Sequence, residues 1–393
     1  MANEPSPQID VWHYVVSHLP PVVQPYAAWA AAGLAAIVVI AGGANVLMEL
    51  FERLFGNKPT KEPEQDFVTD RAPTAKPTNF WANTPPQHIV PPLTPEQNGI
   101  PIVTIANMKG GVGKTTTSAN LAAYFDRVAE KRVLLIDFDY QGSLSLGAIA
   151  ITGMGKVLCG ADELIEPHER YGPTALMELS QSLNNPVRPE LGLARSRIFS
   201  ADYELATKEL DLIAQWRSGA LPEIRYNLSQ FLRSDAVQKA FDIVIIDAPP
   251  RFTTASINAL CASTHILIPT ILDGMSTEAV VFFSQELASM RQLLFPKLKF
   301  LGVVPTMVAM DPLPKGRAKG PKFNDVEATN IERMNAALFP IWGLNQPVLV
   351  EGRIPTRTDF ARYSGTDIAF LQSEEARRVY GRLGQIIRDK LGI

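Results

Sequence analysis

Residues 100–125 read IPIVTIANMKGGVGKTTTSANLAAYF. The first seven residues form a short β-branched run, and the second half carries apolar residues at helical spacing, so the stretch predicts strand, glycine loop, helix. That order suits phosphate. Gly110, Gly111 and Gly113 let backbone N–H groups curl around anionic oxygens, and a helix starting near Thr115 points its positive end at them. Lys114 supplies a point charge to β- and γ-phosphates, and the Thr115 hydroxyl is placed to ligate Mg²⁺, with Thr116 next in the loop.

Outward from this loop, VLLID ends in Asp137 and continues Phe138-Asp139-Tyr140-Gln141-Gly142. Alternation sends Asp137 and Asp139 to one side of the strand, at the carboxyl edge where open α/β sheets bind ligands. FDIVIIDAPPRF is a continuous apolar run of the kind found in the middle of a parallel sheet, ending in Asp247. ILIPT and FLGVVPTMVA read as two further parallel strands, with Thr306 near the end of the second. SADYELATKELDLIAQW predicts a helix beginning at a Ser or Asp cap. A last helix from about Ser373 places Val379, Leu383, Ile386, Ile387 and Leu391 on a face that packs on the sheet. The fold expected is α/β, a mostly parallel sheet with helices on both faces, over residues 99–393. The polar, Pro-containing stretch from about Gly153 to Ser200 has no assignable role.

The standard phosphate-loop pattern wants glycine at position 108, where this chain has Met108 followed by Lys109. A lysine before Gly-Gly-Val-Gly-Lys-Thr-Thr resembles the deviant Walker A motif of the ParA/MinD family of P-loop NTPases. The resemblance covers about residues 99–393, including TDFARYSG ahead of the final helix. It implies that Lys109 reaches across an ATP-bound homodimer to the other subunit's nucleotide, and that Lys109-Gly110-Gly111-Val112-Gly113-Lys114-Thr115-Thr116 bind ATP. It further implies that Asp137 holds the Mg²⁺ shell, that Asp139 positions the attacking water and that Asp247 is the Walker B aspartate. Thr306 and the Ile354-Pro355 pair are expected beside adenine. Tyr140 stands where the family's Asp-x-Asp-Pro-Gln motif has proline, which leaves the geometry of that loop open.

The 393 residues carry a net charge of −3, which gives no global drive toward nucleic acid. Cys159 and Cys261 make no Cys-x-x-Cys, so neither a disulfide framework nor a cluster site is indicated. Before the globular region, no Asp, Glu, Lys or Arg occurs from Val11 to Met48. After a short segment 1–25, residues 26–48 are long enough to span a bilayer as one helix, with Tyr26 and Trp29 at the interface. Ala28, Ala32, Ala36 and Gly43 put small residues on one face of that helix. Arg53, Lys58, Lys61, Arg71 and Lys76 all follow the span, which predicts an outside N-terminus and a cytoplasmic remainder. Residues 49–56 continue as a juxtamembrane amphipathic helix, and 57–98 form a Pro-rich tether. Phe80 and Trp81 within the tether are available to dock on the following domain or on a partner, although isolated linker aromatics more often do nothing identifiable.

These features predict a membrane-tethered ATPase using ATP and Mg²⁺, an ATP-dependent dimerisation switch for positioning or partition of DNA or another cargo, with slow hydrolysis stimulated by a protein partner. Lys315, Arg317, Lys319 and Lys322 are the candidate nonspecific DNA contacts, although such charges on a Pro/Gly-rich loop are more often simply solvated. The alternative is a nucleotide-gated component of a membrane, envelope or defence complex without DNA binding. A tyrosine autokinase is a weaker reading, since only Tyr363 and Tyr380 follow Thr306.

Overall fold

The computed structural model describes residues 80–83, 99–153, 160–167, 172–309, 323–356 and 367–393. The expected membrane helix, the juxtamembrane helix, most of the tether, the 315–322 basic stretch and TDFARYSG all lie outside the described residues. Among the described residues, no helix is long and apolar enough to cross a membrane.

Seven strands form one sheet: β1 Ile102–Ile105, β2 Val133–Asp137, β3 Gln181–Ser182, β4 Arg197–Phe199, β5 Ile243–Asp247, β6 His265–Ile271 and β7 Lys299–Thr306. Their spatial order is β3-β4-β2-β5-β1-β6-β7. All neighbours are parallel except the edge pair β3–β4. Continuous Val/Ile/Leu runs give β1, β2 and β5 no solvent face, and each of their residues is buried. Asp137 and Asp247 end adjacent strands in register. From β1 the chain crosses toward β2 on one side, and from β5 toward β6 on the other, so the carboxyl ends of β1 and β5 face the crevice where ligands bind.

The helices that matter for the site and its packing are α1 Phe80–Asn83, α2 Lys114–Arg127, α3 Ser143–Thr152, α4 Tyr203–Arg217, α5 Thr254–Ala262, α6 Gly274–Leu294, α7 Asp325–Trp342 and α8 Glu374–Leu391, with further short helices between them. One core layer joins a face of the sheet to α4, α5, α6 and α7 through residues such as Phe199, Leu212, Ile257 and Met290. The other joins the opposite face to α2, α3 and α8 through Tyr124, Ile151, Tyr380 and Leu383. The final helix is therefore core, as its apolar spacing predicts, and the α4 cap is Asp202, whose carboxylate accepts from the Glu204 amide.

The unassigned 153–200 stretch contributes the two outermost strands on the β2 side. Its turn at 162–166 is held to α4 by Lys208, whose ammonium lies 3.0 Å from Asp162 and 3.1 Å from both Glu163 and Glu166. The segment read as tether also holds a structured element, because Trp81 and Ala82 of α1 are buried in the core layer with α4 and α6.

Helix α8 crosses α2 at Gly384, where a Cβ would stand 2.2 Å from the Tyr124 ring, whereas a Cβ at Gly381 meets nothing within 4 Å. Opposite signs are expected. Gly384→Ala should lower the urea midpoint by the equivalent of about 1–3 kcal/mol of overpacking, while Gly381→Ala should raise it by up to ~1 kcal/mol from helix propensity. A stabilised Gly384→Ala would show that the two helices are not packed as described.

Candidate nucleotide-binding site

The loop from Asn107 to Gly113 joins β1 to α2 and needs glycine where it turns: Gly111 has φ 72° and Gly113 φ 83°. Val112 between them is fully buried, and its carbonyl accepts the Thr306 hydroxyl at 3.0 Å, which ties the loop to the end of β7. A cleft of about 530 Å³ opens over the loop, lined by Gly110, Gly111, Gly113, Lys114, Thr115, Thr116, Asp139, Gln141, Pro250, Thr306 and Pro355, among others. Met307, which also lines it, has a left-handed φ of 52°, the kind of backbone strain that collects at functional sites. Pro355 is brought there because the 354–356 segment pairs with Val308, and the Ile354 amide donates to the Pro305 carbonyl at 2.7 Å.

Lys114 begins α2 and is 8% exposed. Its ammonium donates to the Lys109 carbonyl at 3.2 Å. Burial lowers its pKa, with the carboxylates of Asp247 and Asp139 working the other way. Lys109 points elsewhere. Its ammonium lies 2.6 Å from the Ser276 hydroxyl and 3.4 Å from the Asp273 carboxylate, both at the start of α6, and its side chain is one-third exposed. Asp273 caps α6 by accepting from the Ser276 amide at 2.6 Å. Burial opposes its ionisation, but the Ser276 donors and Lys109 together hold its carboxyl below the usual range.

The three aspartates differ in their surroundings. Asp137 is sealed, its Oδ2 accepting from both the Ser145 amide (2.9 Å) and hydroxyl (2.7 Å), and its Oδ1 from the Asp139 amide. Asp247 is also buried, with Oδ1 accepting from the Ser118 hydroxyl at 3.1 Å and Oδ2 lacking a hydrogen-bond partner. Burial raises both pKa values. For Asp137 the neighbouring Asp247 charge adds to the rise, whereas the Thr115 hydroxyl and Lys114 partly offset it at Asp247. Asp139 alone reaches the cleft, on a turn in which its Oδ1 accepts from the Gln141 amide at 3.1 Å. Tyr140 leaves that turn intact and faces Arg251, whose guanidinium donates to the Tyr140 hydroxyl at 3.2 Å.

The strands therefore bring the phosphate-loop residues, Asp139, Thr306 and Pro355 into one cleft, with Asp137 and Asp247 buried at the ends of β2 and β5 beneath it. Sequence reading missed Asp273, Ser276, Ser118 and Ser145, which position Lys109 and the two buried aspartates. Only Asp273 left a signal, a cap residue three before Ser276.

The AAA domain family matches residues 100–300. The chromosome-partitioning ATPase Soj of Thermus thermophilus is 33% identical over 209 residues, covering 52% of this chain and 68% of Soj. The chain belongs to the ParA/MinD family of P-loop ATPases. The chromosome partitioning protein ParA of Caulobacter vibrioides is 30% identical over 211 residues, covering 53% of this family member and 70% of ParA. An ATP complex of Cyanothece McdA shares its fold with a TM-score of 0.56 at 20% identity, covering 75% of this chain and 97% of McdA. Tyr380, one of two tyrosines an autokinase would need to expose near its end, is enclosed in the core beside Leu383.

Proposed function

We propose that this ParA/MinD-family chain is a membrane-tethered, ATP-dependent dimerisation switch that positions or partitions a cargo, DNA being the first candidate. The observation that carries the reading is the placement of two lysines, Lys114 in the nucleotide cleft and Lys109 turned out of it. ATP fits the cleft: the glycine loop faces open space, with nothing within 4 Å of a Cβ at Gly110 or Gly111. Mg²⁺ fits the donor set. Thr115 and Asp247 would hold it, since Asp247 Oδ2 is a buried carboxylate oxygen without a partner, and Asp137 would support the shell from behind through the spare capacity of Oδ1. The metal would supply charge neutralisation at the phosphates.

The chain's own residues do the rest. The loop amides and Lys114 bind and orient the triphosphate, and Thr306 and Pro355 flank the base. Lys109 leaves Asp273 and Ser276 to meet the nucleotide of the second subunit, and Asp139 orients water for in-line attack. Hydrolysis is slow and is stimulated by a protein partner. Residues 26–48, within the charge-free stretch 11–48, anchor the chain in the cytoplasmic membrane with its N-terminus outside, which leaves the ATPase domain where ATP is. Retention of the chain in the membrane pellet after alkaline extraction is the expected result; release would remove the anchor.

The deciding experiment measures ATP hydrolysis by the full chain, with and without duplex DNA, beside a gel shift at moderate salt. ATP-dependent DNA binding that Lys109→Ala abolishes supports the partition reading. Hydrolysis with no DNA binding in any nucleotide state supports the second reading, a nucleotide-gated component of a membrane complex, which a permanent anchor favours over a diffusing cycle.

A further inference from the structure

Helix α1 sits in a socket built for it. The Trp81 indole stacks on Trp216 of α4 at 5.9 Å and 13° between planes, and Phe80 meets the same ring edge-on at 5.8 Å. Arg225 lies over the other partner of the stack, 4.8 Å from the Trp216 ring, and is itself fully buried. Burying a guanidinium is costly unless its donors find acceptors. Here Glu223 takes a fork of two bonds at 2.7 Å each, and the Trp81 carbonyl takes a third at 2.6 Å. The occupant is thus part of what makes the socket stable.

The same residue reaches the nucleotide site. The Trp81 indole N–H donates to the Phe252 carbonyl at 3.3 Å. Phe252 lies in the loop that leaves Asp247, two residues after Pro250, which lines the nucleotide cleft. Its ring packs 5.6 Å from Phe283 of α6, and it shares a small gap with Asn107 and Met108 at the start of the phosphate loop. The loop from Ala248 to Phe252 is therefore pinned from one side by the sheet and from the other by Trp81.

We propose that Trp81 is a positioning residue for the ATPase reaction, acting through the Phe252 carbonyl on the loop that follows Asp247. By this contact the chain ahead of the ATPase domain and the nucleotide site share one element, so a pull or a partner acting on residues before Phe80 is felt at the cleft. The inference rests on the ATPase reading above.

Two substitutions separate positioning from mere packing, both in the full chain. Trp81→Phe keeps an aromatic ring against Trp216 while removing the N–H to Phe252 along with part of a buried ring; Phe80→Ala trims ring contacts in the same turn and leaves that bond. Trp81→Phe should lower kcat about 3- to 10-fold, the equivalent of one neutral hydrogen bond, with KM for ATP little changed; the urea midpoint falls as well, from the lost buried ring atoms, so the split between kcat and KM is the readout. Phe80→Ala should leave kcat within about twofold of wild type, since it removes no bond to the loop. A wild-type kcat in Trp81→Phe, or a fall matched by Phe80→Ala, overturns the proposal and leaves the ATPase reading standing. Absence of turnover in the wild-type chain would take down both.

Discussion

Lys109→Ala is expected to leave ATP bound while the ATP-dependent dimer disappears. Lys109 does not line its own cleft, and its contacts within the loop are backbone ones, its amide donating to Asn107 Oδ1 and its carbonyl accepting from Lys114, which survive the substitution. Nucleotide affinity should therefore change by no more than about twofold, because no cis phosphate contact is lost. At the dimer the loss is doubled by symmetry. A charge-assisted hydrogen bond contributes roughly 1.5–3 kcal/mol, so removing one from each subunit weakens association by about 10²- to 10⁴-fold. Sedimentation with a non-hydrolysable ATP analogue, beside direct nucleotide titration, reads both quantities. A dimer of wild-type strength would end the trans assignment, and a loss of nucleotide affinity with unchanged dimerisation at saturation would move Lys109 to a cis role.

The trans role comes from the resemblance; where Lys109 rests in the single chain is what the sequence could not display. In this structure Lys109 pairs with Asp273 and Ser276, more than a hundred residues away, and only the placement of α6 after β6 brings them together. The phosphate loop, Asp137, Asp139 and Asp247 were legible because their chemistry demands residue types at short spacing, next to strands whose apolar runs have no other use. Thr306 and Pro355 were placed by resemblance, and the β7–354 pairing is what carries them to the loop. The edge strands β3 and β4 escaped reading because strands of two and three residues are too short for alternation to show. The Phe80–Trp81 pair was visible as an oddity among prolines, but its socket is assembled from Trp216, Arg225 and Phe252, which nothing local connects.

Asp139→Ala should reduce turnover by about 10²-fold or more while ATP binding and the ATP dimer persist, the range expected when a residue that orients or deprotonates the attacking water is lost. The three aspartates are not equivalent targets. Removing Asp137 strands the Ser145 amide in the core, and removing Asp247 leaves the Ser118 hydroxyl only the Lys114 carbonyl, opens a buried gap and takes away a charge beside Lys114, so either loss mixes folding with chemistry. Asp139 faces the cleft and gives up its bond from the Gln141 amide, about 1 kcal/mol, and a charge near Lys114 that water can replace, so the domain stays folded. Asp139→Asn divides the remaining possibilities. Asparagine keeps an oxygen to accept from Gln141 and so keeps the turn, but it removes the charge. If Asn is as slow as Ala, the carboxylate itself acts on the water; if Asn turns over like wild type, Asp139 serves the turn that Tyr140 and Gln141 share, and the acceptor for the water's proton must be sought elsewhere. Unchanged turnover in Asp139→Ala would exclude both roles, and the single-turnover rate with excess protein over ATP, which is blind to product release, is the measurement that decides.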